Sequence, residues 1–338
     1  MTRWPRPLAP GDTIAVTAPS SGVAAELRPR LDFAVGWLRE RGYDVVVGDC
    51  LSGDHVRSAS RDERAAELTA YLTDPAVAAV LPPWGGELAI DLVDVLDWDR
   101  LAAAEPTWLV GWSDISTLLV PLTTRLGWAS LHGVNLMDTP YTPPAGLAHW
   151  LDLATAATGT RIDQTSPGRT RDGFDRWQDQ PAITTMTLDR PASAAVLGGG
   201  DAEVSGTLIG GCVEVLSPLA GSPYADVPGY AADHPDGLLV YLEVAETDAY
   251  DACRKLHGLR LSGWFEHATG VLVGRTSAPD SPDLTQAEAV TDALGSLDVP
   301  VLTGLDIGHT QPYLPLVNGA RATARVVDGV ATVEQTLG

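Results

Sequence analysis

A serine lies where an apolar run gives way to a helix-like segment, and this position suits nucleophilic chemistry. Trp108-Leu109-Val110 is short enough for a buried strand, and the apolar residues after position 114 recur at helical spacing. Between them, Gly111-Trp112-Ser113-Asp114 predicts a sharp turn that exposes the Ser113 hydroxyl at a helix N-terminus, the geometry of a nucleophile elbow. Ile115 replaces the glycine usual two residues after the serine, so a plain helix cap at Ser113 stays open as an alternative.

A serine nucleophile needs a general base, and the base needs an acid that orients it. His309 lies in the loop 308–312, directly after an apolar run that predicts a strand. Glu243 ends another apolar run, where a buried carboxylate is costly unless it has a partner. The order Ser113, Glu243, His309 is that of α/β-hydrolase triads. An exposed loop histidine and an outward-pointing strand glutamate remain the alternatives.

An acyl-transfer site also needs backbone N–H groups that stabilise the oxyanion of the tetrahedral intermediate. The amide of Asp114, directly after the serine, is one candidate. Gly85-Gly86 offers the other, because missing side chains allow close backbone approach, and a tight turn before a helix would be compatible with this role. We therefore predict that the amides of Asp114 and Gly86 form the oxyanion hole.

The residue patterns indicate no cofactor and no metal. There is no H-E-x-x-H motif, and Gly198-Gly-Gly-Asp201 matches neither glycine pattern that binds phosphate. Cys50, Cys212 and Cys253 are far apart and odd in number, so they give neither a disulfide framework nor a zinc pattern. They suit a reducing compartment, and we expect a cytoplasmic protein.

Charge and hydropathy exclude two classes of partner. The formal net charge is −22 at pH 7, Lys255 is the only lysine, and no basic cluster is visible, so polymeric nucleic acid is not an expected partner. No apolar run reaches the length of a membrane span, and residues 1–10 lack the apolar segment of a signal peptide.

The elements that position these residues alternate between strand and helix in the first part of the chain. Such alternation predicts a mostly parallel sheet covered by helices, with functional groups gathered at the carboxyl ends of the strands. Three loops follow predicted strands there: Pro19–Gly22, Pro83–Gly86 and the serine turn. The predicted strands are 12–18, 43–47, 77–81 and 108–110, and the predicted helices 24–41, 61–72 and 88–96.

Three parts of the chain follow from these patterns. Residues 1–158 are predicted to form an α/β domain that carries the nucleophile. Periodicity breaks down over 159–200, which we interpret as an inter-domain linker or long loop. Residues 201–338 are predicted to form a second domain that carries Glu243 and His309 and ends in a hairpin turned at Asp328-Gly329.

An ordered set of short segments, spread over nearly the whole chain, resembles a known family. It is similar to the serine peptidases that include LD-carboxypeptidases and microcin C self-immunity carboxypeptidases. One such segment would be weak evidence, but the ordered set is specific. The matching segments are residues 11–20, 83–87, 96–99, 110–117, 208–216, 242–243 and 308–312.

This resemblance implies a triad that falls on Ser113, Glu243 and His309. It also implies an N-terminal α/β domain, a C-terminal domain built around a β-barrel-like sheet, and a triad completed across the domain boundary. A homodimer is implied as well. The barrel and the dimer come from the resemblance alone.

The family contains two substrate classes. LD-carboxypeptidases remove the terminal D-alanine of murein tetrapeptides, and the immunity enzymes hydrolyse aminoacyl- or peptidyl-nucleotide conjugates. The segments Gly85-Gly86-Glu87 and 308–312 look more like the immunity branch, and so does Trp177, where that branch offers an aromatic for base stacking. A loop anchor is the alternative for Trp177. We therefore expect a small-molecule nucleotide conjugate as substrate, with Ser20, Trp84, Gly85, Glu87 and Trp177 as candidate substrate-binding residues.

A protein that binds a small molecule between two domains without catalysis is a further alternative. Such a protein would keep the cleft but would not need a serine at the turn together with Glu243 and His309.

Overall fold

The computed structural model describes residues 2–52, 56–171 and 173–338, and two β-sheets dominate it. The first sheet has six strands in the order β14-β5-β4-β3-β1-β2. The second has eight, in the order β6-β16-β15-β10-β11-β12-β13-β9, and a two-stranded ribbon joins β7 to β8. The predicted mixed α/β architecture is confirmed. The expected barrel-like sheet is an eight-stranded mixed sheet with β6 and β9 at its two edges.

The first sheet is built from apolar strands. Its neighbouring strands β2, β1, β3, β4 and β5 all run parallel to one another. Buried valine, alanine and leucine side chains line these strands, as expected for a sheet covered on both faces. Its strands are β1 (Thr13–Val16), β2 (Asp44–Val47), β3 (Val77–Val80), β4 (Trp108–Gly111), β5 (Ser130–His132) and β14 (Leu316–Asn318). The accompanying helices are α1 (Arg28–Arg39), α2 (Arg61–Thr73), α3 (Trp98–Ala103), α4 (Ser116–Leu126) and α5 (Trp150–Ala154).

The second sheet has a parallel centre, β10 to β13, flanked by antiparallel strands. Its strands are β6 (Thr160–Thr165), β9 (Ala195–Val196), β10 (Ala202–Cys212), β11 (Leu238–Glu243), β12 (Ala268–Gly274), β13 (Val301–Leu305), β15 (Arg321–Val327) and β16 (Val330–Leu337). The ribbon is β7 (Arg169–Thr170) and β8 (Arg190–Pro191). The helices are α6 (Val213–Leu219), α7 (Val227–Ala231), α8 (Ala249–Leu261) and α9 (Gln286–Leu294).

Two sequence predictions are wrong in detail. The helix expected over 88–96 is only a 3-10 turn at Ala89–Leu92, because the amide of Ala89 bonds to the carboxylate of Asp114 and the next helix is capped by Asp97. The expected linker over 159–200 is not irregular throughout, since β6 and β9 at its ends join the second sheet. β6 alternates between exposed and partly buried residues, and such a polar edge strand has little apolar periodicity to detect.

The two sheets are not independent bodies. Strand β14, near the end of the chain, pairs antiparallel with β5 and so completes the first sheet. One apolar cluster contains Ile14 and Leu131 of the first sheet together with Leu239 and Leu302 of the second. The carboxyl ends of β4 and β11 are therefore held against a common core.

The predicted hairpin at the end of the chain is confirmed. β15 and β16 pair antiparallel and turn at Asp328 and Gly329, both of which have positive φ, as a tight two-residue turn requires. Among the helices of the described residues, none is long and apolar enough to cross a membrane.

Candidate active site

Ser113 sits in a strained turn between β4 and α4. Its φ is +60°, a left-handed value that is uncommon for a residue with a side chain. The residue before it, Trp112, is extended, and a 3-10 turn over Ser113–Ile115 leads into α4. No side-chain cap bond is made at the start of either helical segment, which argues against a plain helix cap. Such strain costs about 1–3 kcal/mol and concentrates at functional sites.

His309 and Glu243 form a hydrogen-bonded pair at this edge of the molecule. His309 Nδ1 lies 2.8 Å from Glu243 Oε2, and the glutamate side chain is fully buried. Burial by itself would raise the pKa of Glu243, but the charge and hydrogen bond of His309 hold that pKa below its ordinary value. Burial likewise disfavours the charged form of His309, but the charge and hydrogen bond of Glu243, together with the charges of Glu214 and Asp138, outweigh burial and raise the pKa of His309. Nδ1 donating to Glu243 leaves Nε2 to act as a base.

Aromatic packing places this imidazole beside the serine turn. The rings of His309 and Trp112 stack with centroids 4.5 Å apart, and Trp112 directly precedes Ser113. Tyr313 packs edge-on against the same indole at 4.8 Å. The structure therefore brings Ser113, Glu243 and His309 to one place. Within the described residues the Ser113 hydroxyl has no hydrogen-bond partner, a common state for a nucleophile without substrate.

The loop around Gly85 closes over the nucleophile. A Cβ atom on Gly85 would stand 2.8 Å from Ser113 Cβ, 2.9 Å from its Oγ and 3.1 Å from the amide nitrogen of Asp114. Only glycine permits this approach. The Asp114 amide belongs to the first turn of the 3-10 segment, where no helical acceptor exists for it. Both predicted oxyanion donors, Asp114 and Gly86, thus belong to segments that contact the serine.

The side chain of Asp114 ties the surrounding loops together. It is buried and accepts hydrogen bonds from Ser20 Oγ at 2.5 Å, the Ala89 amide at 2.8 Å and Thr117 Oγ1 at 3.2 Å. Ser20 is fully buried and also accepts a hydrogen bond from the Leu88 amide. The Ser20 hydroxyl is thus engaged in supporting the loop, and its contact with substrate stays a prediction.

Two other predicted binding residues, Trp84 and Glu87, lie on the Gly85 loop. Trp84 is half-buried and donates its indole N–H to the Ser21 carbonyl at 3.1 Å. Glu87 is largely exposed. The partial loss of solvent around its carboxyl, together with the negative charges of Glu246 and Asp114, raises its pKa.

Trp177 is anchored on one side. Its indole N–H donates to Tyr141 Oη at 3.0 Å, and the buried guanidinium of Arg30 lies 5.2 Å from the ring centroid. Tyr141 in turn donates to Asp175 at 2.8 Å. These contacts agree with the loop-anchor alternative, while half-burial leaves part of the ring accessible.

Three further titratable residues lie near the proposed triad, and sequence reasoning singled out neither Asp138 nor Glu214 among them. His132 is buried at the end of β5, and burial lowers its pKa to about 4. Asp138 is buried, and burial raises its pKa to about 7 despite the nearby positive charges of Arg30 and His309. Glu214 follows β10 and bonds to the segment after Glu243. The one signal in the sequence is a charged residue inside an apolar run, as at Glu214.

One group of metal-ligand types occurs in the described part of the chain, on α8 and α9. Ligand atoms of Cys253, His257 and Asp292 lie within 4.8 Å of one another. His257 Nε2 is 2.6 Å from Asp292 Oδ1, and Arg260 donates to His257 Nδ1. Both imidazole nitrogens are thus engaged, and the neighbouring guanidinium opposes a cation.

Two known domain families match the two parts of the chain that contribute residues to this site. The LD-carboxypeptidase N-terminal domain matches residues 14–133, which contain Ser113. The LD-carboxypeptidase C-terminal domain matches residues 205–324, which contain Glu243 and His309.

Similar proteins include both kinds of enzyme in this family. A putative carboxypeptidase of Streptomyces coelicolor, SCO6489, is 32% identical over 98% of this chain and 96% of its own. The microcin C7 self-immunity protein MccF of Escherichia coli is 25% identical over 93% of this chain and 91% of its own. A probable murein peptide carboxypeptidase of Bacillus subtilis is 26% identical over 98% and 94%.

Solved structures share the fold over almost the entire length. MccF in complex with aspartyl sulfamoyl adenosine superposes with a TM-score of 0.82 at 23% identity, covering 98% of each chain. A muramoyltetrapeptide carboxypeptidase from Oxalobacter formigenes gives 0.69 at 23% identity, covering 96% of this chain and 98% of its own.

Proposed function

The chain belongs to the LD-carboxypeptidase family of serine peptidases, and from this premise we propose that it hydrolyses aminoacyl- or peptidyl-nucleotide conjugates with Ser113, Glu243 and His309 as its catalytic triad. The observation that carries the triad is the 2.8 Å contact of His309 Nδ1 with the buried Glu243, stacked beside the strained turn at Ser113. We further propose that the enzyme acts in the cytoplasm as a homodimer.

In this mechanism His309 Nε2 takes the proton of Ser113 Oγ as that oxygen attacks the scissile carbonyl carbon. The amides of Asp114 and Gly86 stabilise the oxyanion, and His309 then protonates the leaving amine, so that an acyl-enzyme remains. Water deprotonated by His309 attacks the acyl-enzyme, and its collapse releases the carboxylic acid and the serine. Glu243 keeps the imidazole oriented and stabilises its charged form throughout.

The nucleotide conjugate is supported by the loop that carries Gly85, Gly86 and Glu87 and by the partly accessible ring of Trp177. MccF and the Bacillus murein enzyme are equally similar in sequence, so overall identity does not discriminate between substrates. Removal of D-alanine from a murein tetrapeptide is the second candidate, favoured by the bonding of Trp177 to Tyr141 as a loop anchor.

The test offers both substrates to the purified enzyme in parallel, an aspartyl-adenylate analogue and a murein tetrapeptide, with products read by mass spectrometry. We expect cleavage of the conjugate. Release of D-alanine without cleavage of the conjugate would replace the proposal by the second candidate.

Trp177 provides a more specific variant for the same assay. Stacking of a base on an aromatic ring is worth ~1–3 kcal/mol, so Trp177→Ala should lower kcat/KM for the conjugate by about 5- to 150-fold and leave any tetrapeptide activity unchanged. Trp177→Phe keeps a ring and is the matched control. Equal losses for both substrates would identify Trp177 as an anchor alone.

A further inference from the structure

Glu214 makes an unusual set of hydrogen bonds next to the proposed triad. Its Oε1 atom accepts from three consecutive backbone amides, those of Ala245 at 2.9 Å, Glu246 at 3.0 Å and Thr247 at 3.1 Å. Its Oε2 atom lies 3.2 Å from Cys212 Sγ, whose thiol stays protonated because burial and the charges of Glu243 and Glu214 raise the pKa. One carboxylate oxygen thus satisfies three successive backbone N–H donors of this turn.

The turn held in this way begins two residues after Glu243. β10 and β11 run parallel with Cys212 opposite Glu243, so Glu214 lies at the same sheet edge as the proposed acid. The backbone from β10 to Glu214 is also fixed to the first sheet. The Cys212 amide donates to Ser116 Oγ at 3.2 Å, and Ser116 opens the helix that follows Ser113. Glu214 therefore connects the serine turn to the segment that follows Glu243.

The segment 245–247 is held from its other side by α8 and α9. Lys255 Nζ donates to Thr247 Oγ1 at 3.2 Å, and Gln286 Nε2 donates to the Thr247 carbonyl at 2.8 Å. The negative charge of Glu246 in this segment contributes to the raised pKa of Glu87, which follows Gly85 and Gly86. The segment is thus held by Glu214 on one side and by α8 and α9 on the other.

The charge of Glu214 also reaches the proposed base. After Glu243, the carboxylate of Glu214 is the next negative group that favours the protonated form of His309. Removal of the Glu214 side chain changes both the charge near His309 and the hydrogen bonds that hold the segment 245–247. Glutamine has the same shape but no charge, so its substitution for Glu214 separates the first effect from the second.

We infer that Glu214 is a positioning residue that fixes the segment 245–247 beside the triad and adds negative charge that stabilises the His309 imidazolium. The inference deepens the proposed function and rests on it. It assigns to Glu214 no contact with the reacting atoms.

The experiment measures the rate at which a fluorophosphonate probe labels Ser113, from pH 5 to pH 9, so that no assumption about the natural substrate enters. Glu214→Gln keeps an acceptor oxygen and removes the charge. We expect a less than tenfold loss of the limiting rate and an acidic limb moved to lower pH, because His309 loses a proton more readily. Glu214→Ala also frees the segment 245–247, and a displacement of about 1 Å there should lower the limiting rate about 100-fold.

Glu203→Gln is the matched control. Glu203 lies on β10, the strand that leads to Glu214, but it is exposed and pairs with Arg325. It should reproduce the parent profile. Thermal unfolding of each variant establishes that it is folded.

The outcomes separate the two proposals. Absence of labelling in the parent protein would overturn the assignment of Ser113 as nucleophile. A parent that labels normally while Glu214→Gln keeps the parent's acidic limb would overturn the role of Glu214, and so would full-rate labelling of a folded Glu214→Ala.

Discussion

At the scale of single residues, the site depends on a backbone conformation that its sequence does not favour. Ser113 holds φ at +60° although a serine side chain disfavours this region, and the stable strand and helix on either side impose it. This turn places Ser113 directly after Trp112, whose ring stacks on the His309 imidazole. Activity and local stability are therefore opposed at this position.

We predict that Ser113→Ala remains folded and loses at least about three orders of magnitude in turnover, because only oxyanion stabilisation and binding remain. Ser113→Gly should be equally inactive yet unfold at a higher temperature, with a gain of up to about 1 kcal/mol, since glycine tolerates positive φ. Hydrolysis rates and calorimetric melting curves check both statements. Near-parental turnover in either variant would show that another group is the nucleophile.

Residue types and their order were sufficient to predict that Glu243 and His309 pair near this serine. A carboxylate ending an apolar strand and a histidine in the loop after another indicated Glu243 and His309 without any structural information. The burial of Ser20 was not predicted, because a hydroxyl in a loop at a strand end looks accessible, whereas in the structure it donates to the buried carboxylate of Asp114. Glu214 was missed because its three partners are backbone amides, which carry no signature in the sequence.

At the scale of elements, the proposed oxyanion hole depends most on the shape of the Gly85 loop. It passes so near the serine turn that a methyl group would meet Ser113 Cβ and Oγ. The loop is fixed at its far end by the bond from the Ala89 amide to Asp114. Its geometry is thus determined by the elbow that it covers.

We predict that Gly85→Ala abolishes measurable hydrolysis, because the added Cβ displaces the loop from the oxyanion position while the folded core is unaffected. Gly36→Ala is the matched control: Gly36 is in α1, nothing lies within 4 Å of its added Cβ, and helix propensity should stabilise the variant by up to about 1 kcal/mol. Steady-state kinetics and thermal unfolding distinguish the two. An active Gly85→Ala would remove this loop from the proposed oxyanion hole.

The elements that sequence patterns predicted well are those with one dominant periodicity. β1, β3 and β4 are buried apolar runs, and the capping box at Ser60 marks the start of α2. Residues 88–96 have helical periodicity, but hydrogen bonds to a neighbouring loop override it. Edge strands such as β6 depend on partners distant in sequence, which local patterns do not reveal.

At the scale of the whole molecule, the two sheets share a core. Arg125 at the end of α4 lies 4.8 Å from the ring centroid of Trp98 and 4.9 Å from that of Tyr224, and it donates to the Pro223 carbonyl. This contact, the common apolar cluster and β14 all join the halves that carry Ser113 and His309.

We therefore predict a single cooperative unfolding transition. Urea titrations followed by far-UV circular dichroism and by tryptophan fluorescence should coincide, as they do for one cooperative unit. Two resolved transitions would show that the shared cluster contributes little and that the halves fold separately.

The return of β14 to the first sheet has a consequence during biosynthesis. The edge of that sheet and His309 are supplied by the end of the chain, 196 residues after Ser113 in the case of the histidine. At a translation rate of about 5–20 residues per second, roughly 10–40 s separate the synthesis of the two. Under the proposed mechanism, a nascent chain carries the serine turn long before its general base is made, and a chain released before residue 309 lacks that base.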